Sequence, residues 1–519
     1  MTTSNPAAAP DKLGRDVFVV AGVVVLGAIM SILDVTVVSV AQPTFIREFQ
    51  TNTAGAAWSM TGYTLALAAV IPVSSWAAGR FGTKKVYMTS LVLFVIGSAL
   101  CAMATNIGML VAFRVVQGLG GGMLMPVGMM IMTRAAGPER VGSVMAVLGI
   151  PMLLGPIAGP ILGGWLIEIA SWHWVFLINI PIGIVAVVYA FVALKDDAEK
   201  KKSSIDIIGL LLLSPGLALF LFGVSSSAEH RTFTKPNVYI PMIIGAILIV
   251  TFIWHALRAK NPLLDLRLFK NRVMTISTIT MVFFMIAFFG ASLLYPQYFI
   301  IVRGESTLTA GLLLAPQGLG AMLTMPIAGK MTDKIGPGKF VLGGLVLILI
   351  GVGAFTQIGT DTSYWILCVA LFIQGLGMGM TMMPIMSSAL ATLRGPQVPD
   401  GSTLLNVVQQ TSSSIGTAVI TVIFTSLLAT TTRELLQASS PEAAGKIIGA
   451  LPADKQATAQ ADFLSDAAAQ YGHTFIVAVV LIAITFVPAL FLPRKKISAI
   501  QSEEDVTTAE GGQPPVIMH

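Results

Sequence analysis

The sequence predicts an all-α membrane protein of fourteen transmembrane helices, arranged as two six-helix bundles with two further helices between them. Three observations carry this expectation. Of 519 residues, 55% are apolar and 11% charged, against about 25% charged in a soluble globular chain. Fourteen stretches supply the run of about 20 mostly apolar residues that a membrane-crossing helix needs. Two short motifs also recur along the chain at nearly one offset. Disorder would need low hydrophobicity and high charge. Two cysteines exclude a disulfide scaffold.

The first span starts near Val17 and ends at about Thr44, long enough to be tilted, and it contains Asp34. Its length and its acid rule out the apolar core of a signal peptide. The second and third start near Ala54 and Val86. The fourth, from Gly108, contains Arg114. The fifth, from Val141, reads Ala146, Gly155, Gly159, Pro160, Ile161, Leu162, Gly163, Gly164. Small residues at four-residue spacing permit close helix contact. Pro151, Pro156 and Pro160 remove backbone donors and are expected to bend it. Such a helix suits a hinge or a seal, or simply tight packing. The sixth starts near Val175. A charged segment, 195–206, then precedes two spans from Ile205 and Val238. The last six start near Val273, Leu308, Phe340, Tyr364, Ser402 and Thr474. A polar stretch, 430–472, should lie outside, with a short amphipathic helix or mobile. The tail 497–519 should be disordered.

Loop charges orient the chain. Of 31 Lys and Arg, 23 fall in one set of alternating loops, among them Arg80, Lys84, Lys85, Arg134 and Lys334. Seven fall on the other face, and Arg114 is inside a span. Both termini are therefore expected in the cytoplasm, with the net charge of +6 facing anionic inner-leaflet lipids. Nucleic-acid binding would need a basic groove with stacking aromatics, and none is evident.

Gln117-Gly118-Leu119-Gly120 recurs as Gln374-Gly375-Leu376-Gly377, an offset of 374 − 117 = 257. Ser75, Gly79, Arg80 and Gly82 align with Gly329, Asp333, Lys334 and Gly336 at 333 − 79 = 254. This divides the chain into a first bundle, 1–194, a linker with two inserted helices, 195–272, and a second bundle, 273–496. Transporters are commonly built from such repeats, with substrate bound between them near the midplane.

Ionisable residues within a membrane are functional candidates by default. Asp34 and Arg114 stand out, and the alignment places Arg114 on Leu371 and Asp34 on Ala287 or a neighbouring apolar residue. Burial disfavours a carboxylate's charge and a nearby Arg favours it, a balance suited to loading and releasing a proton. A structural Asp–Arg pair is the alternative. Glu168, at an outer helix end, reads as interfacial.

Several motifs resemble one family. Leu33-Asp34-Val35-Thr36 through Pro43, Trp58 and Tyr63, Arg114 to Gly118, the fifth-span pattern, Trp172 through Gly183 and Asn261 through Phe269 are together similar to the fourteen-helix drug:proton antiporters of the major facilitator superfamily, the EmrB/QacA type. Ala146 replaces the first glycine of the antiporter signature, and His173 stands where Arg is usual. The resemblance covers nearly the whole chain. It implies the major facilitator fold, a bacterial inner or plasma membrane, and export of lipophilic or amphiphilic compounds in exchange for protons by alternating access, with no cofactor. Asp34 and Arg114 would couple protons. Arg80, Asp333, Lys334 and the glycines of the fifth span would gate. The family's loop motif carries an acidic gate residue where this chain has Gly79, so Asp333 is expected to hold that face, or to form an ordinary loop ion pair.

Polar candidates for the substrate cavity are Tyr63, Gln117, Gln317, Asn406 and Gln410, each with interhelical hydrogen bonding as the alternative. Methionines cluster at Met123, Met125, Met129, Met130 and Met132 and again at Met378, Met380, Met382, Met383 and Met386. They suit a promiscuous surface or core filling. The competing cargo is a lipid, lipid precursor or metabolite. A membrane-embedded enzyme is the remote alternative, since clustered nucleophiles, paired acids and metal ligands are missing from the spans. A Walker-type phosphate loop is also missing. Membrane lipids are the expected surroundings, and the sequence names no accessory protein.

Overall fold

The structure, a computed structural model, describes residues 15–137, 140–196, 204–230, 232–427 and 459–495. Every regular element among these residues is a helix. The first part contains α1 (Arg15–Glu48), α2 (Thr53–Val70), α3 (Val73–Phe81), α4 (Thr83–Ala102), α5 (Ile107–Ala136), α6 (Val141–Ile169), α7 (Trp174–Leu177) and α8 (Asn179–Ala193). The inserted pair is α9 (Ile207–His230) and α10 (Pro236–Arg258). Then follow α11 (Arg272–Ser292), α12 (Leu294–Gln297), α13 (Thr307–Ile335), α14 (Gly338–Ala354), α15 (Tyr364–Ala391), α16 (Val398–Leu427) and α17 (Ala459–Ala489). Helices dominate because a bilayer offers no partner for a free backbone N–H or C=O. Among the described residues twelve helices are long and apolar enough to cross a membrane, and the bent pair α2–α3 makes a thirteenth. The expected fifth span is the 29-residue helix α6.

The boundaries depart from the sequence reading at three places. The second span is broken, with α2 and α3 meeting at 56°. Pro72 stands at the break and cannot donate the hydrogen bond that would continue the helix. The ninth span bends through α12 into a π-helical turn at Tyr298–Val302. The last helix starts at Ala459 rather than near Thr474, so 459–472 is not loop. Its Ala-rich turns favour helix, and Ala467, Ala468 and Tyr471 are buried, Tyr471 with its ring 4.5 Å from that of Phe424. Residues 428–458 and the 497–519 tail lie outside the described residues.

The two halves pair their helices in the same pattern. In the first, α5 packs on α4 and α2, α1 on α6 and α8, and α4 on α8. In the second, α15 packs on α14 and α13, α11 on α16 and α17, and α14 on α17. The repeated Gln-Gly-Leu-Gly motif explains the match. A Cβ on Gly118 would lie 2.5 Å from the Tyr63 carbonyl oxygen on α2, and one on Gly120 would lie 2.6 Å from the Phe94 nitrogen on α4. Gly375 meets the backbone of Gln317 on α13, and Gly377 that of Gly344 on α14. In each half the two glycines let one helix approach two neighbours on opposite sides, a small-residue contact worth most where no water drives association.

The halves meet at the end where the basic loops lie, called here the basic face. There α6 crosses α13 at Gly142 and Gly329, with either Cβ position 2.7 Å from the other's carbonyl oxygen. The Asp333 carboxylate accepts from the Gly142 and Ser143 amides at 2.9 Å each and from Ser143 Oγ at 2.7 Å. It thereby caps the N-terminus of α6, where orphan amides and the helix dipole favour a negative charge. At the symmetry-related contact Ser75 on α3 donates to Asp400 in the first turn of α16. An acid thus stands at both contacts, on α13 in one and on α16 in the other.

The inserted helices pack tightly on each other. Gly223 approaches the Val238 carbonyl oxygen, and Gly245 approaches the backbone of Phe220. α9 touches α2 of one half and α16 of the other, with Trp58 stacked on Phe222 at 5.6 Å. Large exposed apolar side chains such as Val192, Ile247 and Trp365 cover the outer surface, as a lipid-facing wall requires.

A buried charge cluster in the first half

Five helices converge on Asp34. α1 carries Asp34 itself, and α5 carries Arg114 and Gln117 one turn apart, on one side of the helix. α4 brings Ser98, α2 brings Ser59 and Tyr63, and α8 starts with Asn179. Asp34, Arg114, Gln117, Ser98 and Asn179 are at most 2% exposed.

Arg114 Nη1 donates to Asp34 Oδ2 at 2.5 Å and to Gln117 Oε1 at 2.7 Å. Arg114 Nε donates to the Ser59 carbonyl at 3.1 Å. Gln117 Nε2 donates to Asp34 Oδ1 at 2.8 Å and Ser98 Oγ at 2.7 Å. Asn179 Nδ2 repeats that pair of contacts at 3.1 and 3.0 Å. The guanidinium lies 4.2 Å from the centre of the Tyr63 ring and 5.9 Å from that of Phe176, and the Tyr63 hydroxyl shares a hydrogen bond with Ser31 at 3.2 Å. Cys101 Sγ donates to Gln117 Oε1 at 3.6 Å. Arg114 Nη2 is buried with no hydrogen-bond partner among the described residues.

Three of these donors, from Arg114, Gln117 and Asn179, go to the Asp34 carboxylate. Taking two charges out of water is costly, and only close geometry with further hydrogen bonds offsets it. The cluster meets both conditions.

The α6 glycines hold α1 beside this cluster. Gly155 seats against Ile32, Gly159 against Thr36 and Gly163 against Val37, one turn either side of Asp34. Gly164 faces open space, with no neighbour within 4 Å of its Cβ position. Pro160 lies within α6, which continues through all three of its prolines.

Of the sequence candidates, Tyr63 and Gln117 lie beside Asp34 and Arg114, each fully buried against the guanidinium or the carboxylate. The second-half candidates bond elsewhere. Asn406 Nδ2 reaches Met129 Sδ at 3.1 Å, tying α16 to α5, and the Ser402 carbonyl at 2.8 Å. Gln317 on α13 is half-buried, with Nε2 unpartnered among the described residues. Gln410 is half-buried on α16, where its carbonyl accepts from Ser413 and Ser414 at 3.0 Å. Met129, Met130, Met132, Met378, Met382, Met383 and Met386 are buried. Several pack where the halves close, as at Gly149, which sits against Met325 and Met383. Arg80 and Lys334 are exposed at the basic face. Among the described residues no group of three His, Cys, Asp or Glu could hold a metal ion.

Sequence reasoning passed over Ser98, Asn179 and Asp400. Asn179 lay inside the aromatic hallmark motif, and a lone amide among large apolar residues was the available signal.

A duplicated helical bundle crossing a membrane, with a buried ion pair in one copy, defines a transporter-type membrane protein. The Major Facilitator Superfamily model matches residues 24–417, and the chain belongs to that family. It is 46% identical over 498 residues to the multidrug resistance protein B homolog of Mycobacterium tuberculosis, covering 94% of this chain and 92% of that one. It is 27% identical over 476 residues to the lincomycin resistance protein LmrB of Bacillus subtilis, covering 91% and 95%. Among solved structures, the human organic anion transporter MFSD10 superposes with a TM-score of 0.58 at 16% identity, over 92% of this chain and 100% of that one. That last likeness concerns the fold alone.

Proposed function

We propose that this protein exports lipophilic or amphiphilic compounds in exchange for protons, with Asp34 as the proton carrier and Arg114 as its counter-charge. The observation that carries this reading is the pair itself. Asp34 and Arg114 are wholly buried in the first half, and Leu371 occupies the position of Arg114 in the second. Membership in a transporter family and likeness to relatives named for multidrug and lincomycin resistance support the class of cargo.

In this reading the basic face is cytoplasmic, both termini lie there, and 1–194 and 273–496 are the moving bundles. The contacts of Asp333 with α6 and of Ser75 with Asp400 close the cytoplasmic side. A proton entering from outside neutralises Asp34 and frees Arg114, and opening of the basic face releases the proton inside. Substrate favours the deprotonated form, so the two ligands compete through their different affinities for the two states. The drive includes about 2.3 kcal/mol per charge per 100 mV.

The test is survival of an expression strain on chemically varied toxic compounds, paired with ethidium efflux under an imposed pH gradient. Asp34→Asn is expected to abolish both. Gradient-driven efflux at wild-type rate from well-expressed Asp34→Asn protein would refute the assignment.

A further inference from the structure

We infer that Asn179 and Gln117 together decide which oxygen of Asp34 takes the proton: Oδ1 is closed to it, and Oδ2, the oxygen held by Arg114, is the acceptor. The inference rests on the reading of Asp34 as the proton carrier.

Gln117 Oε1 accepts from Arg114 Nη1, which turns its NH₂ group toward Asp34 and Ser98. Asn179 Nδ2 lies within bonding distance of the same two acceptors. The reverse orientation would set a carbonyl oxygen against a carboxylate oxygen with no proton between them. Each NH₂ group therefore spends both hydrogens on Asp34 Oδ1 and Ser98 Oγ, and Oδ1 accepts from two N–H donors. A hydroxyl formed at Oδ1 would point its hydrogen at donors. Oδ2 receives Arg114 Nη1, and that contact can be exchanged. When Arg114 withdraws, it keeps the Gln117 carbonyl oxygen, the Ser59 carbonyl and the Tyr63 ring as partners.

The step balances simply. A proton binds Oδ2 and forms an O–H bond. The hydrogen bond from Arg114 to Oδ2 breaks, and Arg114 keeps its own proton and charge. The cluster changes from net zero to one positive charge. Asn179 acts through Asp34 and is a positioning residue.

Among the described residues the titratable groups facing Asp34 are few. They are Arg114 on α5, Tyr63 on α2 and Cys101 on α4. Tyr87, also on α4, turns its hydroxyl to the Val23 carbonyl. On α6 the acid Glu168 is exposed, five residues past the Gly163 contact. Tyr189 on α8 seats against Gly22, twelve residues before Asp34, and α7 has no titratable group.

The experiment is infrared titration of the reconstituted full-length protein, with the Asp34→Asn spectrum subtracted to isolate the Asp34 carboxylic acid band. It needs no transported compound. In the wild type the C=O is Oδ1 with two donors, so its stretch should lie low. Asn179→Ala removes one donor. The band should move to higher wavenumber and half-protonation should shift upward by about one pH unit, the scale of one hydrogen bond to a charged group. Ser98→Ala, which loosens both amides without deleting either, should move both readouts the same way but less, and it stands in if Asn179→Ala fails to fold. An unmoved band and midpoint in these variants would overturn the inference while leaving the proton carrier intact. If Asp34→Asn removes no titrating band at all, the proton-carrier reading itself falls, and this inference with it.

Discussion

The two halves share a skeleton and differ in chemistry. Gly118 and Gly120 do in the first half what Gly375 and Gly377 do in the second, and the same helix pairs result. Yet Asp34 and Arg114 have no charged counterpart across the repeat, where Leu371 stands in the place of Arg114. Packing tolerates an apolar residue at that place, so the scaffold itself does not require the charges. Duplication has fixed the geometry twice and the ionisable site once.

The largest expected effect tests whether the charges are chemistry or scaffold. Arg114→Leu copies the second half but leaves Asp34 buried without its cation. It should destabilise the protein by about 3–5 kcal/mol, the usual cost of breaking a buried pair. Adding Asp34→Leu should recover most of that loss in thermal unfolding and restore no gradient-driven efflux. If the double variant transported normally, the contrast between the halves would be structural only.

A smaller effect tests the shared skeleton. Gly118→Ala and Gly375→Ala each push a methyl group into a neighbouring helix backbone. Each should lower stability by about 1–3 kcal/mol, as overpacking does, and by similar amounts. A large loss in one half and none in the other would show that the repeat no longer carries equal structural weight.

The smallest concerns the basic face, where the latch differs between the copies. Asp333→Ala should weaken the cap on α6 by about 1 kcal/mol. That is roughly a fivefold shift in population toward separated halves. Spin labels placed across the α6–α13 crossing would read it as a longer distance. An unchanged distance distribution would mean that the Ser75–Asp400 contact alone holds this face.

Much of this was legible in the sequence because charge is conspicuous in an apolar run. Asp34 and Arg114 announce themselves, and the glycine motif shows the repeat. Neutral polar groups do not stand out in this way. Asn179 sits in an aromatic motif, and only the fold brings it across 145 residues to Asp34. Tyr63 and Gln117 are legible as polar residues in the spans, but their place against Arg114 and Asp34 is not, because the sequence does not tell which face of α2 or α5 is buried. Asp400 meets Ser75 from 325 residues away, and no local pattern encodes that contact. The early start of α17 was hidden because its first turns are polar enough to pass for loop.

The cap on α6 has a consequence for how the chain is made. Ser143 and Asp333 are 190 residues apart, and the first leaves the ribosome well before the second. At about 5–20 residues per second, that gap lasts about 10–40 s. Through this interval α6 exists with its leading amides waiting for a carboxylate that has not been synthesised. Completion of that helix end is therefore an assembly event, in which the second half finishes a helix that the first half began.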